Sequence, residues 1–226
     1  MKTKLFVLAL TLGLSSVSHA QFGGLGGFGG KSGGGGGDVS AQVDSFNKDA
    51  VLIRNVVDNS LQQIVGALGD KTQLAAVKEQ AANLAKTTDT KEAENLQGTI
   101  VKNNLSAATE LIASKDAKEK MEKLSPEMKE KVGKAIFSIG VAAIKLPDTV
   151  QKGKGIIESV GSNPMNISKA LPVKNGLSLF ADILPKLPTL VSTGMSLMKD
   201  VKVNPGNPGA DSKMEVIKPT LPADEG

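Results

Sequence analysis

From Val43 to Ala67 apolar side chains recur in alternating steps of three and four: Val43, Phe46, Ala50, Ile53, Val57, Ile64 and Ala67, interrupted only by Ser60. That spacing is the pitch of an α-helix, and Asp38 or Ser40 ahead of it can supply the N-cap. Val51, Leu52, Val56 and Leu61 widen the stripe beyond a two-stranded seam, so the helix needs several neighbours. Gly69 ends it near residue 68. About 28 residues at ~1.5 Å each make a rod of roughly 40 Å, which predicts an elongated bundle.

A second helix is predicted over about 72–86, with Leu74, Val77, Ala81 and Leu84 on one side. Asp89 and Glu92 have the spacing of a capping box and open a third helix, striped by Leu96, Ile100, Ala107 and Leu111. Asn103 and Asn104 lie beside that stripe, where a polar residue fixes helix register. Residues 115–134 then hold Asp116/Lys120, Glu119/Lys123, Glu127/Lys131 and Glu130/Lys134, acid-first pairs that mark a solvated helical face. Ser125-Pro126-Glu127 restarts a helix, with Ser as N-cap and Pro at the first helical position. It carries Val132, Ala135, Ile136, Ile139, Ala143 and Leu146 on one side, with Phe137, Val141 and Ile144 on the others. It is therefore expected to be the most buried helix, ended by Pro147. Beyond Pro147, Ser162-Asn163-Pro164 and the Leu-Pro pairs at 171–172, 184–185 and 187–188 divide the chain into short helices over about 148–160, 173–184 and 188–200. The expected fold is all-α, an elongated bundle of about six to eight helices over 39–202.

Both ends read differently. Residues 1–20 have the three parts of a cleaved secretory signal: Lys2 and Lys4, an apolar run from Leu5 to Leu14, and Ser18-His19-Ala20 before a mature Gln21. The apolar run falls short of the ~20 residues that cross a bilayer. Residues 21–38 form a Gly-rich flexible linker. Its Gly29-Gly30-Lys31-Ser32 is not a phosphate loop, because Leu25 stands where the first glycine is required and no strand precedes it. Residues 203–226, with Pro205, Pro208, Pro219 and Pro222, hold too few apolar side chains to fold alone and are expected to be a disordered tail. Met214 to Ile217 is the one strand-like segment, expected to share that disorder rather than dock in a groove.

The residue inventory removes whole classes of chemistry. The chain has no Cys, and its single His is His19, inside the leader. Export leaves neither imidazole nor thiol, the commonest base and the commonest metal ligands. Ser45 with Lys48 and Ser196 with Lys199 match the S-x-x-K spacing of Ser-Lys hydrolases, but the companion S-D-N and K-T-G elements are absent. The acidic residues show no metal-loop spacing, and no cofactor is implied. The 27 basic residues less Lys2 and Lys4 leave 25 against 23 acidic ones, and Arg54 is the sole arginine, a poor footprint for nucleic acid.

Apolar surface is what remains. Leu177, Phe180, Leu184, Leu187, Val191, Met195 and Met198 crowd the Pro-bounded helices near the C-terminus. Their spacing suits first of all helices that cap the bundle core; the alternative is a groove that takes a partner helix or a lipid surface, to which methionine adapts well. The expectation is an exported, non-enzymatic binding or scaffold protein of the bacterial periplasm or extracellular space, partnered by another envelope or secreted protein. Lipid association through the C-terminal helices is the alternative, and a Ser-Lys hydrolase the remote one.

Overall fold

Two helices carry apolar residues on more than one face, and they lie together at the centre of the molecule. These are α1 (Val39–Leu68) and α5 (Pro126–Gly161). The computed structural model describes residues 39–161 and 167–220. The leader, the Gly-rich segment with Asp38, the Ser162-Asn163-Pro164 turn and residues 221–226 lie outside that range. Around the central pair sit α2 (Lys71–Lys86), α3 (Thr90–Ala113), α4 (Ala117–Lys123), α6 (Ile167–Ile183) and α7 (Leu187–Asp200). Among the described residues there are seven helices and no strand, the all-α bundle expected from the periodicity.

Each boundary has a local cause. α1 ends at Leu68 and only glycine fits the exit, because a Cβ at Gly69 would stand 2.5 Å from the Val65 carbonyl oxygen, which accepts the Gly69 N–H at 2.8 Å. Asp70 and Gln73 then form a full capping box for α2, with both reciprocal bonds made at 2.9 and 3.0 Å. At Asp89 only half of the expected box exists, the carboxylate accepting the Glu92 N–H at 2.8 Å. Ser125 Oγ accepts the Met128 N–H at 3.2 Å ahead of Pro126, as the restart signal predicts. Ser125→Ala is expected to cost about 1 kcal/mol, read as a lower denaturant midpoint at unchanged slope.

The core is one cluster. α1 contributes Phe46, Ile53, Val57, Leu61 and Ile64, and α5 contributes Val132, Ile136, Ile139 and Leu146, all fully enclosed. α1 packs against several neighbours, as its wide stripe predicts, and shares the centre with α5. α3 closes one side with Val101, Leu105 and Ala108, while α6 and α7 close the other with Val173, Phe180, Ile183, Leu187 and Leu190. α2 is peripheral, with Val77 its one buried residue. The charged stretch is solvated as expected. Asp116–Lys120, Glu119–Lys123 and Glu127–Lys131 close at 3.0, 2.6 and 2.8 Å, whereas Glu130–Lys134 stays open.

Two expected breaks are absent. α5 runs through Pro147, and α6 begins at Ile167 and runs through Pro172. Pro147 removes one helical hydrogen bond, but its ring faces solvent while Leu146 and Thr149 beside it are buried. The helix beyond it is held by Ile156 and Val160, both in the core. Pro172 is likewise exposed next to a fully enclosed Val173.

Candidate binding surface

The seven residues expected to form an apolar surface lie on α6 and α7, at the turn between them, and face the core. Phe180, Leu187 and Met198 are fully enclosed, and Leu177, Leu184, Val191 and Met195 are half-buried against the same cluster. The packing is close. A Cβ at Gly194 of α7 would stand 3.0 Å from the Ile136 side chain. These residues therefore pack on the bundle core, the capping role that their spacing suits.

The two S-x-x-K pairs are placed on the surface. Ser45, Lys48, Ser196 and Lys199 are all exposed, and neither serine is hydrogen-bonded to its lysine. Ser196 and Lys199 line an open depression of about 570 Å³ with Lys202 and Asn204. A neighbouring depression of about 490 Å³ adds Lys129 and Lys134. Lys199, Lys202, Lys129 and Lys134 give the two depressions a basic rim.

A different feature holds an extended ligand, and it is the chain's own C-terminal segment. Residues 203–220, expected to be disordered, run without regular secondary structure along α5 and back across α1. Val203 and Pro205 sit over Gly133 of α5, and Pro208 sits over Gly140, where a Cβ would come within 2.6 Å of its ring. Gly206 turns with φ +83°, beside the Phe137 ring. Lys145 Nζ then donates to the Ala210 carbonyl at 3.0 Å. On the return, Met214 and Ile217 pack against the core cluster. Asn59 Nδ2 donates to the Ile217 carbonyl at 2.9 Å, and the Thr220 N–H donates to Gln63 Oε1 at 2.8 Å. Gln63 is itself buried, its Nε2 on Met128 Sδ at 3.2 Å.

Comparison with family models, curated proteins and solved structures yields no match. The site is thus defined by its own geometry. Side-chain amides of α1 grip a backbone, glycines of α5 seat prolines, and the core surface takes Met214 and Ile217, the elements from which extended-peptide recognition is generally built. The signal in the sequence was the Met214–Ile217 pattern together with two Pro-bearing turns. Their complement, a pair of glycines seven residues apart on α5, is recognisable only once the helix is placed.

Beneath the opposite face of α1 lies a buried polar group. Asn104 Nδ2 of α3 donates to Asp58 Oδ1 at 3.2 Å, and both residues are enclosed. Burial pushes the Asp58 carboxyl above its ordinary range, against hydrogen bonds from Gln62 and Asn104 and the charge of Arg54. Burial also lowers the Arg54 guanidinium, which Glu94 and Asp58 oppose. Asn104 fixes α3 against α1, the register role expected of a polar residue in that stripe, while Asn103 is exposed. Among the described residues no group of acidic side chains is arranged to hold a metal ion, and no helix is long and apolar enough to cross a membrane.

Proposed function

We propose that this is an exported, non-enzymatic helical binding protein of the bacterial cell envelope or extracellular space, which holds an extended segment of another envelope or secreted protein on its helical surface. One observation carries the reading: the α1–α5 face grips residues 203–220 through side-chain-to-backbone bonds, as a peptide-binding surface does. The leader-like residues 1–20 support export, and the Gly-rich 21–38 supports a body tethered at a distance from its N-terminus. The loss of the only imidazole with the leader supports a role outside catalysis.

The expected results are specific. Mass spectrometry of the chain recovered from the periplasm or medium gives Gln21 as the first residue. The exported protein melts cooperatively and stays at the bottom of a gradient in which anionic phospholipid vesicles float. A photo-cross-linker at exposed Val216 or Ile144 captures a second exported protein in the intact envelope. A chain kept in the cytosol with residues 1–20 attached overturns the reading, and co-flotation with vesicles replaces it by lipid association.

A further inference from the structure

We infer that residues 203–220 form an exchangeable strap, so that the groove on α1 and α5 takes the same segment from a second copy of this chain. The inference rests on the binding reading above and names the partner that the groove itself fits.

The hinge is the first ground. α7 ends in a Schellman turn: the Val203 N–H donates to the Met198 carbonyl at 2.9 Å and the Lys202 N–H to the Lys199 carbonyl at 3.1 Å. The residue that must be left-handed in that turn is Lys202, with φ 60°, the sole non-glycine residue at positive φ among those described. Glycine usually occupies this place, because a side chain there costs a factor of roughly five or more in the folded population. A short connection under strain invites exchange, since extending it toward a neighbouring molecule releases the strain.

The strap's own bonding is the second ground. In an exchanged pair every groove holds the same residues it holds in the single molecule, so those contacts cancel and the balance lies between hinge strain and the entropy of association. The strap can also open without disturbing a helix. Its polar hold on the body is made by Asn59, Gln63, Lys131 and Lys145 reaching to isolated groups, and its apolar hold by the half-buried Val203, Met214 and Ile217, with no helical or sheet ladder to break. The groove is matched in sequence to this segment, with Gly140 under Pro208 and Gly133 under Val203 and Pro205. A second copy presents that sequence in full.

The absence of cysteine makes the test clean. Full-length exported protein carrying Lys131→Cys is mixed with a copy carrying Thr220→Cys, two positions in contact and open to solvent, and treated with a short bismaleimide. Exchange gives a cross-linked pair on a denaturing gel, and light scattering gives a dimer fraction that grows with concentration. Lys202→Gly is expected to lower the dimer association constant roughly tenfold or more, since each dimer holds two hinges. Ile217→Asp releases the strap from every groove, its own copy's and its partner's, so the open monomer replaces the dimer while far-ultraviolet circular dichroism keeps its helical intensity. A monomer at every concentration, with no cross-link between copies, overturns exchange and leaves the envelope capture experiment to decide the wider reading. A dimer unchanged by both Lys202→Gly and Ile217→Asp overturns it as well, by placing the contact elsewhere.

Discussion

Phe46→Ala will destabilise the protein by about 3–5 kcal/mol, a large share of the ~5–15 kcal/mol that holds a domain together. Phe46 is 1% exposed and stands where three helices meet. On one side is Gly153 of α5, where a Cβ would fall 2.6 Å from the ring; on the other is Gly176 of α6, where the distance would be 3.2 Å. Two glycines have been set against the ring's edges, so the helices approach to the width of one phenyl group. When the ring is removed, neither glycine has a side chain with which to fill the space, Leu177 beside Gly153 is already packed against the core, and a cavity remains. Guanidinium denaturation will show the loss as a lower midpoint, and a thermal scan as a fall of roughly 10 °C or more. The converse change tests the same contact. Gly153→Val overpacks the site and costs about 1–3 kcal/mol alone. Combined with Phe46→Ala it will cost less than the sum, because its methyls occupy the vacated volume, and a double-mutant cycle measures that difference.

The contrast between Phe46 and Pro147 shows which parts of the fold are written locally. Phe46 belongs to a stripe of seven residues at helical spacing, and its burial follows from period alone. Pro147 is the strongest local stop available, yet α5 continues through it. Leu146 and Thr149 are anchored in the core on either side, and tertiary packing outweighs one lost hydrogen bond. Nothing within a window of ten residues reports that anchoring. The strap is hidden for a related reason. Residues 203–220 cannot bury enough of themselves to fold, and that much the composition says correctly. What orders them is a surface some 60 to 160 residues away in the chain, at Gly133, Gly140, Asn59 and Gln63. The apolar residues of α6 and α7 illustrate the opposite ambiguity. Spacing places Phe180, Leu187 and Met198 on one face, but the same spacing serves a core and a groove, and only the positions of α1 and α5 decide for the core.

Asn104→Leu will destabilise the fold by about 2–3 kcal/mol at neutral pH, and by less in acid. Leucine fills the volume of the amide, so the loss reports the hydrogen bond to Asp58 rather than a cavity. That bond ends on a carboxylate that is 5% exposed, and a buried charge stripped of a donor loses far more than a surface one. The pH dependence has a definite sign. Burial places the folded-state pKa of Asp58 above its unfolded value, while Gln62, Asn104 and Arg54, with Glu94 beside Arg54, modulate it. The folded state therefore holds this proton more tightly. Ionised Asp58 weakens the fold at neutral pH, and the penalty shrinks as pH falls from the raised value toward the ordinary carboxylate range. Removing Asn104 raises that pKa further, so the gap between the variant and the parent narrows over the same window, which urea denaturation at a series of pH values will trace. Adding Asp58→Leu to Asn104→Leu should restore most of the lost stability, because both buried polar partners are then gone. The remainder falls to Arg54, whose Nε has no hydrogen-bond partner and which then keeps only Glu94 as a counter-charge. If the double variant is no more stable than Asn104→Leu alone, the cost lies in helix packing, and the Asp58–Asn104 bond is not what fixes α1 against α3.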